Sequence, residues 1–268
     1  MPARPADATT FHALHQELLL LPNAWDAASA RVVQEAGAKA IATSSAAVAW
    51  AHGFPDGHGL APAKLAIVVE EIARVVSVPI TVDSEAGYAD DPDGVERNIA
   101  SFLDAGGVGV NLEDGREPHA LHLRKIEAAL KAGARAGVKI FVNARTDVYL
   151  KQLVPAEQAV EETLKRAAAI KAAGASGLFV PGVFDTAQIK TIVDACGLPL
   201  NVMARPGVPD ADGLRLLGVK RLSAATSPFA AAMNETRALA EEFLATGNSD
   251  RLWKRRGTQL DFNKLFAV

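Results

Sequence analysis

Three acidic side chains stand at the ends of successive apolar runs. Asp83 and Glu85 follow VPITV, and Glu113 follows GVGVNL. The next run ends in Asn143-Ala144-Arg145. Carboxylates gathered without compensation repel one another strongly, so a cation is expected among them. Oxygen-only donors favour a hard ion, Mg2+ or Mn2+, which keeps several waters and binds substrate oxygens directly. Asp83 and Glu85 are two residues apart, so on an extended chain they point the same way. Arg145 offers a planar fork to a carboxylate or phosphate. A cation beside an arginine describes a pocket for a small dianionic or chelating acid.

Other polar residues lie near the same ends. Ser44 and Ser45 close the second run, where their amides make an anion cradle or simply end a strand. The stretch 50–59 is rich in Gly and turn formers and reads as a mobile lid. That makes Asp56 and His58 functional candidates; the alternative is that they are exposed loop residues. His119 and His122 follow Glu113-Asp114 closely enough to sit over the site, with a helix face as the other reading for His122. Asp114 reads as a supporting or turn residue. Asp147 caps, pairs with Arg145 or meets substrate. Asn201 lies on the seventh run, and Arg205 follows it. His12 and His15 precede the first run and read as structural or exposed. Cys196 reads as a small buried residue rather than a nucleophile.

These residues need elements to position them. Eight short apolar runs, at 18–22, 38–43, 78–83, 107–113, 138–145, 177–181, 198–204 and 219–224, alternate with amphipathic stretches at 26–36, 62–76, 92–105, 121–136, 156–173, 186–195 and 209–217. Nearly continuous apolar strands belong to a parallel sheet buried on both faces. Eight β/α units in about 225 residues are the count and length of a (β/α)8 TIM-type barrel, whose active site lies at the C-terminal ends of its strands. An open doubly wound sheet is the alternative, but the first turn, LLPNAWDAAS, has no GxGxxG. We expect one domain over 1–268, with the barrel at about 17–227 and two extra helices, 228–246 and roughly 250–265, beyond it. Their apolar residues, Trp253 and Phe262 among them, suggest packing against another subunit.

Composition excludes other classes. The chain has 268 residues, 49% hydrophobic and 22% charged, which is globular rather than disordered. Twenty-eight Lys and Arg against 31 Asp and Glu give a net charge of −3, no electrostatic case for nucleic acid or an anionic membrane. One cysteine excludes an internal disulfide framework and fits a cytoplasmic protein. No apolar stretch approaches the about 20 residues that span a bilayer.

At these residues the sequence resembles the isocitrate lyase/phosphoenolpyruvate mutase superfamily. The specific pieces are Ile80-Thr81-Val82-Asp83-Ser84-Glu85-Ala86-Gly87-Tyr88, then Val110-Asn111-Leu112-Glu113-Asp114, then Asn143-Ala144-Arg145-Thr146-Asp147. The resemblance implies that Asp83, Glu85 and Glu113 hold Mg2+, partly through water. It implies that Ser44, Ser45 and Ala46 bind a substrate carboxylate. Arg145 would anchor substrate and stabilise an enolate, Asp56 would belong to the loop near the metal, and Asn201 would contact substrate. It also implies a barrel whose last helix is exchanged between subunits, in a homodimer or homotetramer. Isocitrate and methylisocitrate lyases place a cysteine acid/base in a loop after the Glu-Asp pair. Here that place reads Gly115-Arg116-Glu117-Pro118-His119-Ala120-Leu121-His122, with no cysteine.

The expected activity is therefore a Mg2+-dependent lyase or decarboxylase. It would cleave the C–C bond next to the 2-oxo or 2-hydroxy group of a small di- or tricarboxylic acid and leave a pyruvate-like enolate. His119 or a metal-bound water is the candidate proton acceptor if the cleavage needs one. Phosphonomutase-type P–C chemistry is the second expectation, and a non-catalytic metabolite-binding barrel the third.

Overall fold

Nine parallel strands form one sheet that closes almost completely on itself. The computed structural model describes residues 2–257 and 260–267. The strands are β1 (Leu19–Leu21), β2 (Asn23–Ala24), β3 (Ile41–Thr43), β4 (Ile80–Asp83), β5 (Gly107–Glu113), β6 (Phe141–Arg145), β7 (Gly177–Phe179), β8 (Leu200–Met203) and β9 (Arg221–Ser223). Their order is β1-β9-β8-β7-β6-β5-β4-β3-β2. The two ends of that order are separated in the chain by Pro22 alone. β1 pairs with β9 and β2 with β3, so a single divided first strand bridges the barrel. Pro22 has no N–H to give to a ladder, which is why the run expected at 18–22 appears as two pieces reaching Ala24. The architecture is the TIM-type (β/α)8 barrel.

The helices are α1 (Pro5–Leu14), α2 (Ala27–Glu35), α3 (Ser45–Ala51), α4 (Pro62–Val75), α5 (Pro92–Asp104), α6 (His119–Arg135), α7 (Ala159–Ala172), α8 (Thr186–Cys196), α9 (Ala211–Leu217), α10 (Ser227–Thr246), α11 (Asp250–Arg256) and α12 (Phe262–Phe266). Several start where an aspartate accepts an N–H of the first turn: Asp26 from Ser29, Asp91 from Gly94, Asp185 from Gln188 and Asp210 from Gly213. Such caps satisfy amides that have no partner inside the helix.

Two helices were not expected. α1 plugs the end of the barrel where the strands begin. Its Phe11 is fully buried and meets the Phe141 ring edge-on at 5.3 Å, and His15 just beyond it stacks on Phe141 at 4.0 Å. α3 follows β3 directly, inside the stretch read as strand end and lid. The last expected helix, 250–265, is two short ones, with Gly257 between them at a positive φ. None of α10, α11 and α12 has a buried residue. Leu244 is 84% exposed and Trp253 66%. No described helix is long and apolar enough to cross a membrane.

Candidate active site at the barrel mouth

Register explains why the polar residues meet. Asp83 of β4 is level with Asn111 of β5, Asn111 with Asn143 of β6, and Glu113 with Arg145. Asn201 of β8 is level with Arg221 of β9. A layer of buried amides therefore fills the barrel below the mouth. Asn143 Nδ2 donates to Asn111 Oδ1 at 2.9 Å and to Asn201 Oδ1 at 3.0 Å, and Arg221 Nη2 donates to Asn111 Oδ1 at 3.2 Å. Arg221 is wholly buried, and burial pulls its pKa down to about 9 against the opposing charge of Asp83. Asn201 Nδ2 donates to backbone carbonyls and to Ser223 Oγ, so both ends of this amide are used inside the barrel.

Each expected metal carboxylate is held by donors. Asp83 Oδ2 accepts the Ser45 N–H and the Ser45 hydroxyl, both at 2.8 Å, and its Oδ1 accepts from Asn111 Nδ2 at 3.2 Å. The Ser45 amide thus serves an internal carboxylate. Ser44 caps α3, and Ala46 lies buried in the first turn. Glu85 departs from the extended geometry assumed for it. β4 ends at Asp83, and Glu85 has a φ of 46°, a left-handed backbone that a non-glycine residue adopts at some cost. The turn, not the strand pleat, aims this side chain. Glu85 Oε2 accepts the His58 N–H at 2.7 Å, so the stretch expected as a lid is docked on the site. Burial raises the Glu85 carboxyl, while His58 lowers it and the charge of Asp56 raises it further.

Glu113 faces the cations. Its Oε2 lies 2.7 Å from Arg145 Nη1 and its Oε1 3.4 Å from Lys151 Nζ. Burial pushes the Glu113 carboxyl up to about 7 although Arg145 opposes the shift. Arg145 also grips the fully buried Asp147 through Nε at 2.7 Å and Nη2 at 3.1 Å. Burial would lower the guanidinium pKa, but Glu113 and Asp147 hold it above its usual value. Two of its five N–H bonds are thus donated to Asp147, and Nη1 makes an ion pair with Glu113. A desolvated carboxylate that one arginine does not fully balance, beside two further carboxylates, suits a hard dication. Asp83, Glu85 and Glu113 are not gathered within 4.8 Å of one another; among the described residues that tight grouping is Asp114, His119 and His122. The wider spacing at the mouth fits an ion that keeps several of its waters.

Some expected residues lie elsewhere, and some useful ones were missed. His119, on the first turn of α6, has Arg166, Asp114, Glu162 and His122 as its charged neighbours, not the mouth carboxylates. Cys196 is buried at the end of α8 with its thiol 3.2 Å from the Leu198 carbonyl. Lys151, four residues beyond Asp147 and 2.8 Å from it, was not anticipated, nor were Asn111 and Arg221. Their only signal was position, a polar residue within an apolar run or one turn past a strand end. A cavity of about 890 Å³ opens beside the mouth between the loops after β6, β7 and β8. Tyr149, Phe184 and Arg205 line it, and the three carboxylates do not.

Comparison with known proteins identifies the family and the fold. The phosphoenolpyruvate phosphomutase family model matches residues 11–244. A Burkholderia cenocepacia structure, provisionally assigned as a phosphonomutase, is 40% identical with a TM-score of 0.84, covering 89% of this chain and 98% of that one. An uncharacterized protein of Mycobacterium tuberculosis is 33% identical over 227 residues, 84% of each chain. An oxaloacetate decarboxylase of Rhodopseudomonas palustris is 28% identical over 185 residues, 67% of this chain and 64% of that enzyme. Barrel, motifs and relatives agree: the chain belongs to the phosphoenolpyruvate phosphomutase family of the isocitrate lyase/phosphoenolpyruvate mutase superfamily.

Proposed function

We propose that this protein is a Mg2+-dependent carbon–carbon lyase acting on a small 2-oxo di-acid, with decarboxylation of oxaloacetate as its simplest form. The observation that carries this reading is the meeting of the carboxylates with Arg145 at the mouth, Glu113 at 2.7 Å from the guanidinium. Asp83, Glu85 and Glu113 would hold the dication, which supplies positive charge for the electrons freed when the bond breaks. Arg145, fixed by Asp147 and Glu113, keeps N–H bonds for a substrate carboxylate or a developing enolate oxygen. In decarboxylation the C3–C4 bond breaks, carbon dioxide leaves, and the electron pair enters the 2-oxo group; a proton then adds at C3. No acid/base cysteine is needed. This suits a chain in which only residues 115–118 separate Asp114 from α6 and whose single cysteine is buried in α8.

The test is NMR of the purified protein with Mg2+ and oxaloacetate, 2-methylisocitrate, 2,3-dimethylmalate or phosphonopyruvate, against a no-enzyme control. Pyruvate from oxaloacetate above the control rate supports the reading. Phosphonopyruvate converted to phosphoenolpyruvate, with oxaloacetate untouched, replaces it with P–C chemistry, which the 40% identical relative favours. Silence across the panel favours a metabolite-binding barrel.

Two expectations follow from this reading. Mg2+ must displace the proton that burial keeps on Glu113 up to about pH 7. Mg2+ affinity therefore rises by roughly tenfold between pH 6 and pH 8, as the ionised fraction of a group titrating near 7 does. Calorimetric titration reads this directly. Glu113→Gln should flatten the profile, and a flat profile in the unaltered protein removes Glu113 from the metal site. Second, α10–α12 are proposed to pack on another copy of the chain: beyond Phe229, which meets Trp25 and Trp50, they leave Leu244, Trp253 and Phe262 exposed and have no fully buried residue. Sedimentation velocity should show a dimer or tetramer; a monomer at micromolar concentration counts against it.

A further inference from the structure

A second group of ligating side chains lies on the helix side of β5 and β6. Asp114 follows β5 and is fully buried, and His119 and His122 stand one turn apart at the start of α6. One possible ligand atom from each lies within 4.8 Å of the other two. His122 Nε2–H donates to the Leu112 carbonyl at 3.0 Å, which leaves the Nδ1 lone pair free. That Nδ1 is buried without a partner, and so are both ring nitrogens of His119. Burying such groups unpaired is unfavourable, so each points to a partner. A ring held by a backbone carbonyl through one nitrogen, with the other bare, is how a metal-ligating histidine is oriented.

Asp114 is oriented as well. Its Oδ1 accepts the Asp147 N–H at 2.9 Å, and its Oδ2 accepts the Thr146 hydroxyl and Arg166 Nη1, both at 2.7 Å. A carboxylate has about four lone-pair positions, so one remains for an ion. Arg166 is the local competitor, but Glu162 pairs with it at 2.7 Å and offsets its charge. Burial lowers the pKa of both imidazoles, favouring the neutral form that binds metal.

We propose that Asp114, His119 and His122 form a second cation site, separate from the mouth, for a transition-metal dication of the zinc type. Two imidazoles and one carboxylate suit such an ion, whereas Mg2+ prefers oxygen throughout. Three protein ligands leave a fourth position for water. Donors around a tetrahedral ion of this size sit about 3.3 Å apart, so binding draws the rings inward. The unpartnered His119 ring has no hydrogen bond to give up in doing so. The ion would tie the first turn of α6 to the end of β5. It would also share Asp114 with the loop that positions Arg145.

The test is titration of the metal-stripped full chain with Co2+ in saturating Mg2+, read by visible absorption and by metal content. The expected result is one Co2+ per chain with ligand-field bands of a low-coordinate nitrogen–oxygen site. His119→Ala should weaken binding on the order of tenfold or more, and Asp83→Asn should leave it unchanged. His119 is only partly buried and its ring bonds nothing, so this variant tests the site without disturbing the buried His122. No Co2+ uptake above Mg2+, or uptake retained in His119→Ala and lost in Asp83→Asn, overturns the proposal.

Discussion

Asp83→Asn is expected to abolish Mg2+-dependent turnover, lowering kcat by about three orders of magnitude or more, while the barrel stays folded. The change keeps the shape of the side chain and removes its charge. A catalytic dication is worth several kcal/mol of transition-state stabilisation, and each 1.36 kcal/mol is tenfold in rate. Asp83 is the carboxylate whose surroundings leave it least replaceable. Its two oxygens accept from Ser45 N–H, Ser45 Oγ and Asn111 Nδ2, which fixes it on the barrel side of the mouth. It is also the acid whose charge supports the buried Arg221 guanidinium. Asn at this position still offers an oxygen to Ser45 but turns its NH2 toward the Asn111 Nδ2 donor, so unfolding should move by about 1–3 kcal/mol. Asp83→Ala strands those donors and should cost more stability for the same loss of rate. Product formation with and without Mg2+, beside far-UV circular dichroism, separates the two effects. Full activity in Asp83→Asn would remove the metal from the mechanism.

The barrel was legible because its signals are local. Each apolar run is short and bounded, and Gly137 and Gly174, which follow the amphipathic stretches 121–136 and 156–173, adopt positive φ. What escaped depends on tertiary context. The α1 segment, PADATTFHAL, carries no apolar stripe; its helix is held by Phe11 entering the barrel base, a contact with partners more than a hundred residues away. The Ala-rich α3 has no periodicity that separates it from a strand end. At the mouth, residue type and strand position located Asp83, Glu113 and Arg145, because parallel register brings strand ends level. The turn at Glu85 and the docking of His58 on it follow from a left-handed backbone that no spacing rule shows. His119 faces away from the mouth carboxylates for a related reason. Alternation along β5 sends Glu113 to the Arg145 side and its neighbour Asp114 to Arg166 of α7, so a histidine close in sequence to both follows Asp114.

Arg145→Lys should lower kcat by roughly 10²–10³-fold and raise KM, with a much smaller effect on folding. The guanidinium spans two carboxylates at once, Asp147 through Nε and Nη2 and Glu113 through Nη1. A lysine ammonium is a compact point charge without that fork, so it can follow one acid but not hold both. Removing one oriented donor from a developing oxyanion typically costs about 2.7–4 kcal/mol. Stability should suffer less because Lys151 stays 2.8 Å from the buried Asp147 and 3.4 Å from Glu113. Arg145→Ala differs in kind. It leaves both carboxylates to Lys151 alone, and breaking a buried pair costs about 3–5 kcal/mol, so a clear fall in Tm should accompany the loss of rate. The lysine variant is therefore the informative one. A Tm close to that of the unaltered protein with a kcat reduced at least a hundredfold puts Arg145 on the substrate. An unchanged kcat would mean that its bonds to Asp147 and Glu113 are its whole role, and the enolate-stabilising charge would then have to come from Lys151 or the dication.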